Sequence, residues 1–310
     1  MCTQSAKEST LKTAITIGNF DAVHVGHVAL VERARVAVGD AGRVEVWSFD
    51  PPPVTILNPN FRTDALTTFD QRSTRLLEVG ADKVRKITPS KALLYQSPES
   101  FIADVVAESS PDFIVEGTQF QFGKDRKGTS ETLRAIGLNS GFEYIEIDGV
   151  EVTLSTGETL RASSSMVREL LSKGCVEEAS RMLGRAYEIS GIVTSGDKRG
   201  REMGVPTANV SQIATMLPKD GIYAGTATVD NKLYIAAISI GTKPTFGENK
   251  RVFEAHLISF DGDLNHYEWP LTVTISSRIR EQIKFNSMDE LRLQIFSDIE
   301  TATRLIESKR

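Results

Sequence analysis

The chain has 310 residues, 40% hydrophobic and 25% charged, the balance of a globular protein rather than a disordered, collagenous or disulfide-stapled one. Thirty-six Lys and Arg against 41 Asp and Glu leave a net charge of −5, so the chain as a whole has no electrostatic pull toward nucleic acid or an anionic membrane. At about 150 residues per domain, the length predicts roughly two domains. Two cysteines, Cys2 and Cys175, are too few for a disulfide framework or a zinc site and read as reduced thiols. The polar start, Met1 to Ser9, lacks the apolar core of a signal peptide. No apolar run approaches the ~20 residues that span a bilayer. The expected compartment is the cytoplasm, with neither nucleic acid nor membrane as partner.

From Thr13 to about Ile147, short apolar runs alternate with helical periodicity. Ala14–Ile17 predicts a strand and His27–Val38 a helix. Val44–Phe49 and Asp70–Val79 repeat that pair, and Lys83–Ile87, Phe113–Val115 and Tyr144–Ile147 continue the strands. Strands separated by helices predict right-handed crossovers and a parallel, Rossmann-like α/β sheet. Such sheets bind ligands at the carboxyl ends of their strands.

After Gly184 the character becomes β. Glu188–Val193, Ile222–Val229, Leu233–Ile240, Val252–Ser259 and Leu271–Ile275 are separated by turn signals such as Asp230-Asn231 and Asp261-Gly262-Asp263. They predict an antiparallel barrel or sandwich. Ser287 with Glu290 three residues on predicts a capping box. It opens a last helix whose apolar stripe is Met288, Leu291, Ile295, Ile299 and Ala302. The division is expected near residue 185, giving domains 1–184 and 185–310.

The segment Gly18-Asn19-Phe20-Asp21-Ala22-Val23-His24-Val25-Gly26-His27 joins the first strand to the first helix and holds two of the chain's four histidines. A helix start offers free N–H groups and a favourable dipole to an anion, and His24 and His27 add two imidazole donors for phosphate oxygens. Gly26 permits a tight backbone path. Later, Ser163, Ser164 and Ser165 precede Arg168; the serines suit a helix cap, and Arg168 suits a bidentate phosphate clamp.

In the second half, Gly191–Asn209 is the most informative stretch. Gly196, Gly200 and Gly204 make a loop whose N–H groups suit phosphates, with Lys198 between the first two. Pro206 precedes Thr207 and Asn209, which share a face in extended chain. Their oxygens suit Mg²⁺ held mainly by nucleotide phosphates and water. Glu254 sits in Val252–Leu257, where an isolated Glu otherwise reads as the wet face of a half-buried strand.

The His-x-Gly-His loop and the Ser-Ser-Ser-Met-Val-Arg segment resemble the His-x-Gly-His nucleotidyltransferases. The Gly191–Asn209 string resembles the riboflavin kinase signature with its Pro-Thr-Ala-Asn motif, followed in order by Gly221–Ala224, Ile240–Phe246, Val252–Leu257 and Arg280–Phe285. Together they resemble the bacterial bifunctional riboflavin kinase/FMN adenylyltransferase family over nearly the whole chain. The resemblance implies a nucleotidyltransferase domain followed by a six-stranded antiparallel barrel with a C-terminal helix. It implies riboflavin, FMN and ATP as substrates, FMN, FAD, ADP and pyrophosphate as products, and Mg²⁺ in both reactions. By the same resemblance Glu254, His24 and His27 are catalytic, and Gly18, Phe20, Asp21 and Gly26 line the first nucleotide site. Gln119, Phe120, Arg280 and Phe285 face flavin.

The chain departs from the family at Ala22 (usually Gly), at Pro52 (usually His), at Gln119 (usually Asn or Asp) and at Ser165 (usually Thr). Tyr267-Glu268-Trp269 replaces Tyr-Gly-Lys. Two alternatives stand beside the bifunctional enzyme: a riboflavin kinase with a scaffold domain, and a flavin-binding regulatory module without turnover.

Overall fold

The computed structural model describes residues 11–60, 63–196, 199–242 and 251–309. Packing groups the chain into two compact units, one of Met1–Thr63 with Thr67–Glu151 and one of Asp64–Leu66 with Val152–Arg310.

The first unit is built on β1 (Thr13–Gly18), β2 (Arg43–Phe49), β3 (Lys83–Ile87), β4 (Phe113–Gly117) and β5 (Glu143–Ile147). The strands run parallel in the order β3-β2-β1-β4-β5. Among the described residues, six α-helices accompany them: α1 (Val25–Val38), α2 (Val54–Leu57), α3 (Phe69–Glu78), α4 (Lys91–Leu94), α5 (Pro98–Ser109) and α6 (Ser130–Ser140). Alternate strand residues serve opposite faces of the sheet. Ala14, Val44, Val46 and Val115 pack with Val31, Ala34 and Leu76. Ile15, Ile17, Trp47 and Ile114 pack with Phe101, Ile102 and Leu133. A sheet covered on both faces explains why its strands read as nearly continuous apolar runs. Local signals set the helix starts. Thr68 and Gln71 form a capping box at α3, and Ser97 caps α5 ahead of Pro98.

A short ribbon of β6 (Glu151–Thr153) and β7 (Thr159–Arg161) leads on to α7 (Ser164–Lys173) and α8 (Val176–Leu183). The remaining strands are β8 (Tyr187–Thr194), β9 (Ala208–Ser211), β10 (Gly221–Val229), β11 (Lys232–Thr242), β12 (Arg251–Leu257) and β13 (Trp269–Arg280). They close into a six-stranded barrel in the order β10-β11-β12-β9-β8-β13, every pair antiparallel. Closure leaves no free edge. The four-residue β9 has no periodic signal of its own, and pairing with β8 and β12 defines it. A one-turn α9 (Arg199–Glu202) precedes β9, and α10 (Met288–Glu307) ends the chain.

Two details of the last helix differ from the sequence pattern. Ser287 Oγ accepts from Glu290 N, but the Glu290 carboxylate accepts from Asn286 N, one residue before the cap. Met288 is 59% exposed, whereas Ala302 and Ile306 pack on Ala224, a cluster against which Leu305, Ile235 and Ile279 also pack. The helix docks on the barrel through its C-terminal half, so the predicted stripe is apolar without being covered at its start.

The helices α7 and α8 pack with the barrel. Val176, Ala179, Met182 and Leu183 are buried, Glu177 Oε1 accepts from Arg278 N at 2.9 Å, and Leu171 O accepts from Lys219 N at 2.9 Å. A fragment 185–310 loses these contacts and a fragment 152–310 keeps them. At about 1.5–3 kcal/mol for each large apolar side chain uncovered, the shorter fragment is expected to unfold at clearly lower urea concentration. Equal midpoints would place α7 and α8 outside the barrel's folding unit.

Candidate active sites

In the first unit β1 pairs with β2 on one side and β4 on the other. The chain leaves their carboxyl ends in opposite directions and opens the crevice where such sheets take ligands. The loop from Gly18 to α1 bends through three non-glycine residues in the left-handed region, Phe20 (φ 49°), Ala22 (φ 77°) and Val23 (φ 45°). It is pinned from below. Asp21, 4% exposed, accepts from Thr67 N and Thr67 Oγ1, each at 3.0 Å, and Ala22 N donates to Thr67 Oγ1 at 3.1 Å.

His24 is the N-cap of α1, so the helix begins before His27 and both rings stand on its first turn. Their imidazoles stack at 3.6 Å between centroids, 22° from parallel, and Phe20 lies against His27 at 5.0 Å. Burial, the neighbouring His24 ring and the Arg72 guanidinium hold His27 well below its ordinary value. Its buried Nδ1 has no hydrogen-bond partner among the described residues.

After β4, Gln119 is exposed and Phe120 is half-buried, its ring stacked on Phe122 at 5.4 Å. After β2, Asp50 pairs with Arg72 of α3 (3.4 Å), and Pro52 O accepts from Thr55. Beneath the crevice Glu116 of β4 is 2% exposed. It accepts from Ile17 N at 2.5 Å and Thr16 Oγ1 at 3.5 Å, and burial pushes its carboxyl well above the usual range.

Ser163, Ser164, Ser165 and Arg168 belong to the second unit. Ser163 caps α7, accepting from Met166 N at 3.1 Å, while Arg168 Nε donates to Asp64 O at 2.8 Å. Ser165 is exposed.

On the barrel, strand register assembles what the sequence separates. Glu254 lies opposite Ser239 on one side and Asn209 on the other, and Asn209 lies opposite Thr194. Directly opposed residues of antiparallel strands point to the same face. Ser239, Glu254, Asn209 and Thr194 therefore form a row across β11, β12, β9 and β8, half-buried, opposite the buried face of Phe253, Ala255 and Val210. At one end Gln282 Nε2 donates to Ser239 Oγ at 3.1 Å. At the other stands the glycine loop, where a Cβ at Gly196 would overlap the Asn209 amide and one at Gly200 would overlap Val205 O. Thr207 is exposed and Pro206 O meets His256 Nδ1 at 2.7 Å. Gly204 takes a left-handed φ of 82°; Lys198 and the Lys243–Phe246 part of the expected Ile240–Phe246 segment lie outside the described residues.

Thr194, Gly196, Thr207 and Asn209 line a cavity together with Phe260, Tyr267 and Trp269. Phe260 carried no recognisable sequence signal, since it reaches the cavity from the segment that follows β12. Arg280 is engaged by Asp298, Nε to Oδ1 at 2.9 Å and Nη2 to Oδ2 at 2.6 Å, and lies 5.9 Å from the Phe285 ring. The Thr207 hydroxyl and Asn209 amide oxygen are hard, neutral donors, which fits Mg²⁺ held largely by phosphates. Among the described residues no three His, Cys, Asp or Glu side chains form a metal cluster.

The fold and these two sites define a two-unit protein, a His-x-Gly-His nucleotidyltransferase sheet joined to a kinase-type barrel. Family models match residues 6–159 as FAD synthetase and residues 183–306 as riboflavin kinase. The chain is 32% identical over 300 residues (95% of this chain, 94% of the relative) to the bifunctional riboflavin kinase/FMN adenylyltransferase of Buchnera aphidicola subsp. Schizaphis graminum. It is 31% identical over 314 residues (98% and 96%) to that of Bacillus subtilis. A crystal structure described as a macrolide-efflux protein from Streptococcus pneumoniae matches with a TM-score of 0.85 and 28% identity, covering 94% of each chain; among the described residues no helix is long and apolar enough to cross a membrane. The chain belongs to the bifunctional riboflavin kinase/FMN adenylyltransferase family.

Two departures from the family share a backbone cause. Ala22 (φ 77°) and Glu268 (φ 62°) both stand in the left-handed region, where the family usually has glycine. A non-glycine residue there costs about 1–2 kcal/mol, against about 0.4–1 kcal/mol from the greater freedom of glycine in the unfolded chain. Glu268 is exposed, so Glu268→Gly is expected to raise stability by about 0.5–1 kcal/mol. Ala22 is 1% exposed and would lose a buried methyl worth about 0.8 kcal/mol. Ala22→Gly is therefore expected to change stability little. Thermal melts of the two variants check the contrast, and equal shifts would refute it.

The buried Glu116 gives a pH signature. Its raised folded pKa means that the native state binds more protons, so its contribution is fullest below the unfolded value of 4.5 and is lost as pH rises. Glu116→Gln keeps the Oε1 acceptor without the charge. It is expected to be more stable than the parent at pH 7, with the gap closing toward pH 4.5. A gap independent of pH, measured by urea unfolding, would assign the difference to packing instead.

Proposed function

We propose that the chain performs both reactions of its family, phosphorylating riboflavin with ATP to give FMN and ADP, then adenylylating FMN with a second ATP to give FAD and pyrophosphate. The observation that carries the reading is the row Ser239–Glu254–Asn209–Thr194. Glu254 stands between the Gln282 side, where Arg280 and Phe285 would meet flavin, and the Thr207–Asn209 side, where the nucleotide would lie.

In the kinase reaction the ribityl 5′-hydroxyl attacks the γ-phosphorus, Glu254 accepts its proton, and ADP leaves. The nucleotide base would lie against Tyr267 and Trp269, and the loop holding Gly196, Gly200 and Gly204, with Lys198, would cover the phosphates. Thr207 and Asn209 would hold Mg²⁺, whose chemistry there is neutralisation of phosphate charge. In adenylyl transfer a phosphate oxygen of FMN attacks the α-phosphorus of ATP, and the bond to the pyrophosphate breaks. His24 and His27 would donate to phosphate oxygens beside the α1 N-terminus, with Gly18, Phe20, Asp21 and Gly26 shaping the loop. Gln119 and Phe120 would contact flavin. The division of labour is residues 1–184 for adenylyl transfer and 185–310 for the kinase, in the cytoplasm.

Pro52 and the exposed Gln119 favour one second reading, a riboflavin kinase whose first unit is a scaffold. Product analysis with riboflavin, ATP and Mg²⁺ separates them, since FMN with FAD supports two activities and FMN alone the scaffold. Glu254→Gln is expected to lower FMN formation about 10²–10⁴-fold while flavin binding persists. His27→Ala is expected to lower FAD formation about 10²–10³-fold and leave FMN formation intact. Unchanged turnover in either variant would remove that residue from its role.

A further inference from the structure

Arg72 carried no motif and takes no part in the chemistry above, yet it is the most buried arginine at the crevice, 3% exposed. It stands on α3 beneath the carboxyl ends of β1 and β2. Nη1 donates to Asn19 O, to Ser48 Oγ at 3.1 Å and to Phe49 O at 3.0 Å. Nη2 donates to Asp50 Oδ1 at 3.4 Å. Ser48 Oγ itself donates to Asn19 O at 3.1 Å. One guanidinium thus ties the first residue after Gly18 to the last residues of β2 and the turn beyond it.

Thr67, just before α3, holds the same loop at Asp21 and Ala22. The loop is consequently fastened at Asn19 by Arg72 and at Asp21 and Ala22 by Thr67. Between and just after these points run Phe20, Ala22 and Val23, all in the left-handed region, a path that persists only where the surroundings over-determine it. His24 and His27 follow directly. A lysine keeps the charge but reproduces only part of this arrangement, because a point ammonium lacks the planar fork that reaches acceptors on several segments.

We infer that Arg72 is a positioning residue for adenylyl transfer, fixing the loop after β1 so that His24 and His27 stand where the nucleotide's phosphates react. The inference rests on the reading of the first unit as an adenylyltransferase. Arg72 holds the loop through its Nη1 and Nη2 contacts, so its loss displaces the groups that the loop carries. A displacement of about 1 Å at such groups costs on the order of 10²-fold in rate.

The test uses the full chain with Arg72→Met and Arg72→Lys, with FMN formation and the thermal melt as checks on folding. In Arg72→Met, kcat for FAD formation is expected to fall about 10²-fold, with KM for ATP and FMN changing far less. Arg72→Lys is expected to recover part of kcat. Hydrogen exchange at the amides of Val23, His27 and Val28 is expected to quicken in both, while exchange in β5 stays as in the parent. If Arg72→Met does not fold, Arg72→Lys carries the same comparison alone. A folded variant with the parent's kcat and the parent's loop exchange overturns the inference. A parent chain that makes no FAD overturns the functional reading instead, and loop exchange then still decides whether Arg72 fixes the loop.

Discussion

The placement of β1 between β2 and β4, with the chain diverging to either side, is the constraint on which the first unit depends. Parallel strands must be joined by crossovers, and crossovers in opposite directions leave a gap at the carboxyl end of the strand where the direction reverses. The loop that enters this gap cannot be a relaxed turn. It passes Phe20, Ala22 and Val23 through left-handed geometry and reaches α1 with two stacked imidazoles on the first turn. Buried polar contacts from Thr67 and Arg72 supply the stabilisation that such a path needs, because a buried backbone or carboxylate group must find a partner.

The barrel solves a different problem by a different route. The polar row Ser239, Glu254, Asn209 and Thr194 comes from β11, β12, β9 and β8, far apart in sequence, and antiparallel register lines it up. Closure fixes the parity of every strand, since a slip by one residue would turn Glu254 into the barrel's apolar face and bring Phe253 or Ala255 out. The core residues between the functional positions thus do more than contribute burial. They lock which side chains stand on the face away from the barrel's apolar interior.

The departures from the family pattern sort by their physical consequence. Ala22 and Glu268 replace glycines at a tolerable backbone cost and keep the chain's path. Pro52 is different in kind, since it removes both an imidazole and a backbone N–H. Gln119 keeps an amide on a longer stem and stands exposed beside Phe120. The cost of the first pair falls on the backbone, whereas the second pair changes which polar groups the chain presents after β2 and β4.

Much was legible in the sequence because the signals were local. Hydrophobic periodicity located β1 to β5, α1, α3 and five of the six barrel strands, and the two histidines, the glycine loop and Glu254 stood within compact motifs. What the tertiary structure alone decided depended on distant pairing. The strand β9 exists through its neighbours; Glu254 and Asn209 meet by register; Phe260 comes to line the same cavity as Thr207 and Asn209. Arg72 has no periodic or motif signature, since an arginine on a helix reads as a solvated charge until the loops above it are in place. The start of α10 shows the converse, for Met288 fits the apolar spacing yet finds no surface to cover it. Spacing along a chain determines which face a residue takes, but only the packed structure determines what stands opposite that face.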